Sequence, residues 1–231
     1  MELTLLANAS TAAGVLWLAN RVWQPDVDRA TDILLGSAAI GLAVGRLAAM
    51  IEAGVNPVLA PTDILIVRAG VDTGFATLGA IVALTWTLRD RFPVALDQLA
   101  PSALVGLAGW HGGCVWRGTC LGTATDLPWA MSAAGSDIGR HPVELYTAAL
   151  LVLAAVAVRR MSSRPGSAFG LALAAAGAVR LLTDRLRLSI IGGPTIWYVA
   201  AITVGITFAA FGQRLTRTRP PGPSSTVITP P

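Results

Sequence analysis

The sequence predicts an all-α polytopic membrane protein of about seven transmembrane helices, with its N-terminus outside and its C-terminus in the cytoplasm. Three observations predict it. The first is composition: 54% of the residues are hydrophobic, 13% are charged, and the mean hydropathy is +0.63, whereas a soluble domain carries roughly 25% charged residues. The second is the length of the uncharged apolar runs, which suits the ~20 residues that a helix needs to cross about 30 Å of hydrocarbon. The third is the placing of the arginines, which sit at the ends of those runs and unequally on the two sides.

The runs place spans near residues 3–22, 33–52, 64–88, 95–116, 143–160, 167–186 and 194–213. The first run opens on Met1-Glu2, lacks a basic leader and has Arg21 behind it, so it reads as a span rather than a signal peptide. The second carries Arg46 within Ala43-Val-Gly-Arg-Leu-Ala48. The third ends before Arg89 and Arg91, and the fourth has His111 near its far end. The fifth follows His141-Pro142 and ends at Arg159 and Arg160. The sixth carries Arg180 and Asp184, and the seventh leads into an Arg-, Pro- and Ser-rich segment. The domain reading is one membrane-embedded helical unit over 1–213 and a disordered cytoplasmic tail over 214–231.

Putting the N-terminus outside leaves Arg21, Arg29, Arg89, Arg91, Arg159, Arg160, Arg164, Arg214, Arg217 and Arg219 in the cytoplasm. Arg68, Arg117, Arg140, Arg185 and Arg187 then lie outside. The excess of positive charge falls inside, as the orientation requires. All 17 basic residues are Arg, which reads as codon usage. All but Arg46 and Arg180 sit toward span ends and they form no patch, so the isoelectric point near 10.0 is no sign of nucleic-acid binding.

Chemistry concentrates in two stretches at the outer end of the fourth and fifth spans. They are Gly113-Cys-Val-Trp-Arg-Gly-Thr-Cys-Leu-Gly122, running on to Met131, and Arg140-His-Pro-Val-Glu-Leu-Tyr146. The second can be read as a helix start, with Pro142 at the first position and Glu144 reaching back as in a capping box. It can also be read as His141 and Glu144 exchanging protons or holding a head group at a wet membrane boundary. Arg46 and Arg180 lie inside spans, where an ionisable group is costly and often functional. Arg46 could instead snorkel or form a structural salt bridge, and Arg180 could pair with Asp184 four positions on. Two arginines converging on one cavity would suit phosphate, because guanidinium matches its oxygens bidentately. Cys114 and Cys120 lie six residues apart. On a regular helix that is about 9 Å along the axis, beyond the ~7 Å Cα limit for a disulfide. Free thiols are therefore expected unless the helix breaks at Arg117-Gly118. No metal cluster, nucleotide loop or Ser/His/Asp arrangement is visible, so neither a metal nor a cofactor is expected.

Thr125-Asp-Leu-Pro-Trp-Ala-Met131 followed by Arg140-His-Pro-Val-Glu-Leu-Tyr146 resembles the prolipoprotein diacylglyceryl transferases of bacteria. That family commonly reads Gly-x-Pro-Thr-Asp-Leu-Pro-Trp-Ala and then Arg-His-Pro-Ser-Gln-Leu-Tyr-Glu. Val44-Gly-Arg-Leu47, Leu96-Asp-Gln-Leu-Ala-Pro101 and Val179-Arg-Leu-Leu-Thr-Asp-Arg-Leu-Arg187 resemble further family segments, in order, from about residue 33 to 190. The chain also departs from the pattern. Where the family's fourth span has Gly-Arg, this chain has Trp110-His111, and the family's third-span His-Gly-Gly falls on Phe75-Ala-Thr77.

The resemblance implies seven spans and an enzyme of lipoprotein biosynthesis in the bacterial inner membrane. Its activity would move a diacylglyceryl group from phosphatidylglycerol to the lipobox cysteine thiol of a prolipoprotein. The partners implied are those two substrates and membrane lipids. It makes Arg180, His141 and His111 the expected catalytic residues, Arg180 for the phosphate and His111 in place of a family cation. Arg46, Arg140, Glu144, Tyr146 and Gly122 are the expected substrate-binding residues. The altered positions leave two alternatives: a transferase on the same scaffold with another lipid donor or acceptor, or a lipid-binding membrane protein without catalysis.

Overall fold

The computed structural model describes residues 2–57, 59, 71–91, 94–161, 166–188 and 195–217. Among these the regular structure is helical: α1 (Glu2–Trp23), α2 (Val27–Glu52), α3 (Thr73–Thr87), a 3-10 turn (Arg89–Arg91), α4 (Val94–Gly112), the short α5 (Cys114–Arg117), α6 (Val143–Met161), α7 (Ser167–Asp184) and α8 (Thr195–Arg217). The described residues contain no strand, only isolated antiparallel bridges from Arg140 to Ala124 and to Met131.

Aspartates start three of the long helices by accepting from N–H groups that have no partner inside the helix. Asp26 accepts from Arg29 N at 3.2 Å to open α2, and Asp72 accepts from Phe75 N at 2.8 Å to open α3. The third cap comes from another helix. Asp97, in the first turn of α4, accepts from the backbone N–H groups of Gly166 and, at 2.8 Å, Phe169. It thereby ties the start of α7 to the start of α4.

The helices pack in a chain of neighbours: α1 on α4, α4 on α6, α6 on α7, α7 on α8, and α2 on α3. Small residues let them approach closely. A Cβ on Gly205 of α8 would stand 2.6 Å from the carbonyl of Gly170 on α7. Leu104, Val105, Leu151, Ala155, Ala172 and Val179 form the core shared by α4, α6 and α7. A second cluster, around Leu16, Leu34, Leu96 and Leu99, joins α1, α2 and α4. Large apolar side chains also cover the outside, among them Val22, Ile40, Trp86, Leu153, Leu182 and Phe211. A bundle apolar on its outer face as well as in its core is suited to a membrane. By length and composition, Asp28–Glu52 and Ser167–Asp184 are long and apolar enough to cross one, and Thr73–Thr87 and Thr195–Phe211 are shorter apolar helices.

The elements differ from the expected spans mainly at their ends. The second helix begins at Val27, six residues before the expected start, because Asp26 caps it there. The helix in the fourth run stops at Gly112, short of the expected 116, and α5 is a separate turn. The last helix continues to Arg217, past the expected boundary at 213, since no Gly or Pro interrupts Gln213-Arg214-Leu215-Thr216-Arg217. Residues 64–70 of the third expected span, residue 194 and the tail from 218 to 231 lie outside the described residues.

The two ends of the bundle are distinct. At one, Arg159 stacks on the Trp23 ring with 5.3 Å to its centroid, and Gln24 donates to the carbonyl of Gln98 at 2.6 Å. At the other, Asn8 abuts Gly113, Trp116 Nε1 donates to Thr11 Oγ1 at 2.9 Å, and the start of α6 meets the end of α7.

Candidate functional site

Glu144, in the first turn of α6, anchors the site. Its Oε2 lies 2.6 Å from His111 Nδ1 at the end of α4 and 3.5 Å from Arg180 Nη1 on α7. Its Oε1 lies 2.7 Å from Arg187 Nη2, just past the end of α7. His111 and Glu144 are each 12% exposed, Arg180 14% and Arg187 34%. A buried carboxylate is tolerable only when paired, and this one is paired three times. A carboxylate has no proton to give, so His111 Nδ1–H is the donor, and in the neutral imidazole Nε2 then carries the lone pair. Nε2 has no hydrogen-bond partner among the described residues.

Packing beneath the cluster fixes it. Thr147 and Thr183, each three residues beyond Glu144 and Arg180, are buried and share a hydrogen bond of 3.1 Å between α6 and α7. Arg180 turns away from its own helix to a third one. Its Nη2 donates to Tyr198 Oη of α8 at 3.3 Å, and its Cζ stands 5.6 Å from the centre of that ring. Among the described residues, two guanidinium groups converge on the one carboxylate of Glu144 where α4 and α7 end and α6 begins. An anion is the ligand that such a site suits.

A strap of extended chain closes the end of the bundle. Gly122 N donates to His141 O at 2.8 Å, His141 N to Thr123 O at 3.0 Å, and Thr123 N to Leu186 O at 2.8 Å. Arg140 and Met131 exchange both backbone bonds, and Arg140 Nη1 donates to Gly122 O at 3.2 Å. Gly122 sits where the strap presses on both neighbours: a Cβ there would collide with Leu186 O and Val143 Cγ2. Tyr146 Oη accepts from Trp129 Nε1 at 2.7 Å and lies 3.5 Å from His141 Nδ1, the two rings meeting edge to face at 6.1 Å.

Three readings made from the sequence are corrected here. Glu144 does not form a capping box; its side chain turns into the bundle, where two guanidinium groups and an imidazole offer stronger partners than an N–H group. Arg180 does not pair with Asp184, whose Oδ1 is buried without a hydrogen-bond partner among the described residues. An Arg followed four residues later by an acid is the weaker orientation on a helix, and Glu144 and Tyr198 on neighbouring helices outcompete it. Cys114 and Cys120 are not free thiols. They form a disulfide with their Cα atoms 5.1 Å apart. The regular helix assumed in the 9 Å spacing ends at Gly118, whose left-handed backbone (φ 62°) folds the chain back and lets Thr119 N donate to Cys114 O at 3.2 Å. The disulfide borders the site: Glu144 N donates to Cys120 O at 3.4 Å.

Of the other expected residues, His111, Arg180 and Glu144 come together directly. His141, Arg140, Tyr146 and Gly122 lie in or under the strap. Arg46 is buried on α2, 3% exposed. Its neighbour Gly45 accepts from Asp72 N at 3.0 Å, and Phe75 of α3 packs on Trp197 at 5.7 Å, beside Tyr198. Arg46 is thus at the same end of the bundle. Tyr198, Arg187 and Trp129 were missed. The two tyrosines of the chain, Tyr146 and Tyr198, both belong to this end. Their scarcity was the available signal for Tyr198.

The family model described as prolipoprotein diacylglyceryl transferase matches residues 4–215. Three phosphatidylglycerol–prolipoprotein diacylglyceryl transferases are similar. That of Geobacter sulfurreducens is 35% identical over 130 residues, 51% of this chain and 50% of its own length. That of Vibrio vulnificus is 36% identical over 119 residues, 48% of this chain and 44% of its own. That of Shewanella oneidensis is 30% identical over 113 residues, 47% and 42% respectively. The matched stretch spans about half the length of these relatives or less.

Proposed function

The chain belongs to the prolipoprotein diacylglyceryl transferase family, and on that premise we propose that it moves the diacylglyceryl group of phosphatidylglycerol to the lipobox cysteine thiol of a prolipoprotein. The observation that carries this reading is the pair of guanidinium groups, Arg180 and Arg187, converging on one buried carboxylate at the end of an apolar bundle. A phospholipid head group lies at that depth, and its phosphodiester is the anion available there.

In the transfer, sulfur forms a bond to the glyceryl carbon. The bond from that carbon to the phosphate oxygen breaks, and glycerol phosphate leaves with the electron pair. Negative charge grows on the phosphate as it leaves. Arg180 and Arg187 supply guanidinium donors aimed at it, and Arg46 adds charge from α2. The strap of Gly122, Arg140, His141 and Tyr146 forms the rim over which the lipid and the lipobox segment enter.

The membrane frame of the proposal is seven spans in the bacterial inner membrane, N-terminus out and C-terminus in, with the site toward the outer leaflet. The arginine asymmetry supports it. Reporter fusions after Gln213 should read as cytoplasmic and fusions within 123–139 as external; a cytoplasmic signal from 123–139 overturns the orientation. The reaction is tested by complementing a strain depleted of its own transferase, with lipoprotein labelling as readout, and by transfer from labelled phosphatidylglycerol to a lipobox peptide. Transfer is expected. No transfer beside an active family enzyme overturns the reading, and then points to another donor or acceptor or to lipid binding alone.

A further inference from the structure

The reaction needs a base, because the thiolate and not the thiol is the nucleophile. Two histidines stand at this end of the bundle, and their surroundings differ. His141 has a phenol oxygen 3.5 Å from Nδ1, a marginal hydrogen bond, and no carboxylate partner among the described residues. His111 donates from Nδ1 to a buried carboxylate at 2.6 Å and keeps Nε2 without a hydrogen bond among the described residues. That arrangement holds the imidazole, through Nδ1–H bonded to the carboxylate, in the tautomer whose Nε2 can accept a proton. Building on the transfer proposed above, we propose that His111 Nε2 is the general base that takes the lipobox thiol proton, with Glu144 as the positioning carboxylate.

The thiol proton moves to Nε2 while Nδ1–H stays bonded to Glu144. The sulfur pair forms the bond to the glyceryl carbon, the carbon–oxygen bond breaks, and its pair goes to the phosphate held by Arg180 and Arg187. The proton on Nε2 then passes to the departing phosphate. Glu144 serves both halves, because the carboxylate that orients the base also bonds the two guanidinium groups that meet the leaving group. The charged groups facing His111 are Glu144 from α6, Arg180 from α7 and Arg187 from the segment after it, while α1 presents the neutral Asn8 and Thr11 to the end of α4.

The test is the pH profile of transfer from phosphatidylglycerol to a lipobox peptide, per folded molecule, for the full chain and its variants. In the wild type, kcat/KM should show an ionisation limb belonging to His111. His111→Gln should lower kcat by about 10²- to 10⁴-fold, with KM for phosphatidylglycerol little changed. Its rate should follow the thiolate fraction of the peptide, rising about tenfold per pH unit toward the thiol pKa near 8.5. Imidazole added to His111→Ala should restore part of the rate. His141→Gln should keep the His111 limb whatever its rate. If His111→Gln does not fold, Glu144→Gln, which keeps an acceptor oxygen but no charge, should still lose or displace the limb. Full kcat with an unchanged profile in His111→Gln, or an unchanged profile in Glu144→Gln, overturns the base assignment while the transfer reaction stands. No transfer by the wild type beside an active family enzyme overturns the reaction itself, and the role of His111 with it.

Discussion

Arg180→Ala separates a catalytic guanidinium from a structural one, and the structure sets the size of both effects. In the folded state the substitution removes bonds to Glu144 Oε2 at 3.5 Å and to Tyr198 Oη at 3.3 Å, both long for their kind. Glu144 is not orphaned, because His111 at 2.6 Å and Arg187 at 2.7 Å remain. Each lost bond then contributes near the low end of the usual range, and the destabilisation should be about 1–2 kcal/mol. The effect on catalysis should be larger. A donor aimed at charge that develops only in the transition state contributes on the order of 3 kcal/mol, roughly 10²-fold in kcat. Arg180→Lys keeps the charge but loses the planar fork, so its rate should fall between the two. The assay is transfer from labelled phosphatidylglycerol to a lipobox peptide, normalised to folded protein by size exclusion in detergent, with thermal unfolding run in parallel. Full activity per folded molecule in Arg180→Ala, together with reduced folded yield, would refute the phosphate role and leave Arg180 as a structural bridge between α6 and α8.

Other perturbations probe the frame around the site. Cys114 and Cys120 should take up an alkylating label only after reduction, and labelling without reductant would exclude the disulfide; by loop entropy, Cys120→Ser should cost about 2 kcal/mol. Gly122→Ala drives a Cβ into Leu186 O and Val143 Cγ2, so it should destabilise by about 1–3 kcal/mol, read as a lower unfolding temperature. Asp97→Ala removes the cap on α7 and should cost about 0.5–2 kcal/mol in thermal stability. Asp97 and His111 are fourteen residues apart along α4, about 21 Å, so activity per folded Asp97→Ala molecule should match the wild type.

Hydropathy alone made the chain a bundle of long helices, because burying apolar surface is additive along a run and needs no knowledge of neighbours. The motif around Arg140 to Tyr146 likewise marked the end of the bundle where the chemistry gathers. What local pattern could not decide was which partner each polar group chooses. Glu144 fits a capping box by spacing, and Arg180 fits a pair with Asp184. In the fold each meets stronger partners on other helices: His111 from 33 residues back in the chain, and Tyr198 from 18 residues ahead. The cysteines follow the same logic. Their spacing excludes a disulfide only on a continuous helix, and Gly118 ends that helix with a backbone conformation that brings the two Cα atoms to 5.1 Å. Apolar burial is a property of segments and can be read from one. Hydrogen bonds and ion pairs are directional and short-ranged, so they belong to whichever groups the packed helices bring within about 3 Å, and only the tertiary structure decides that.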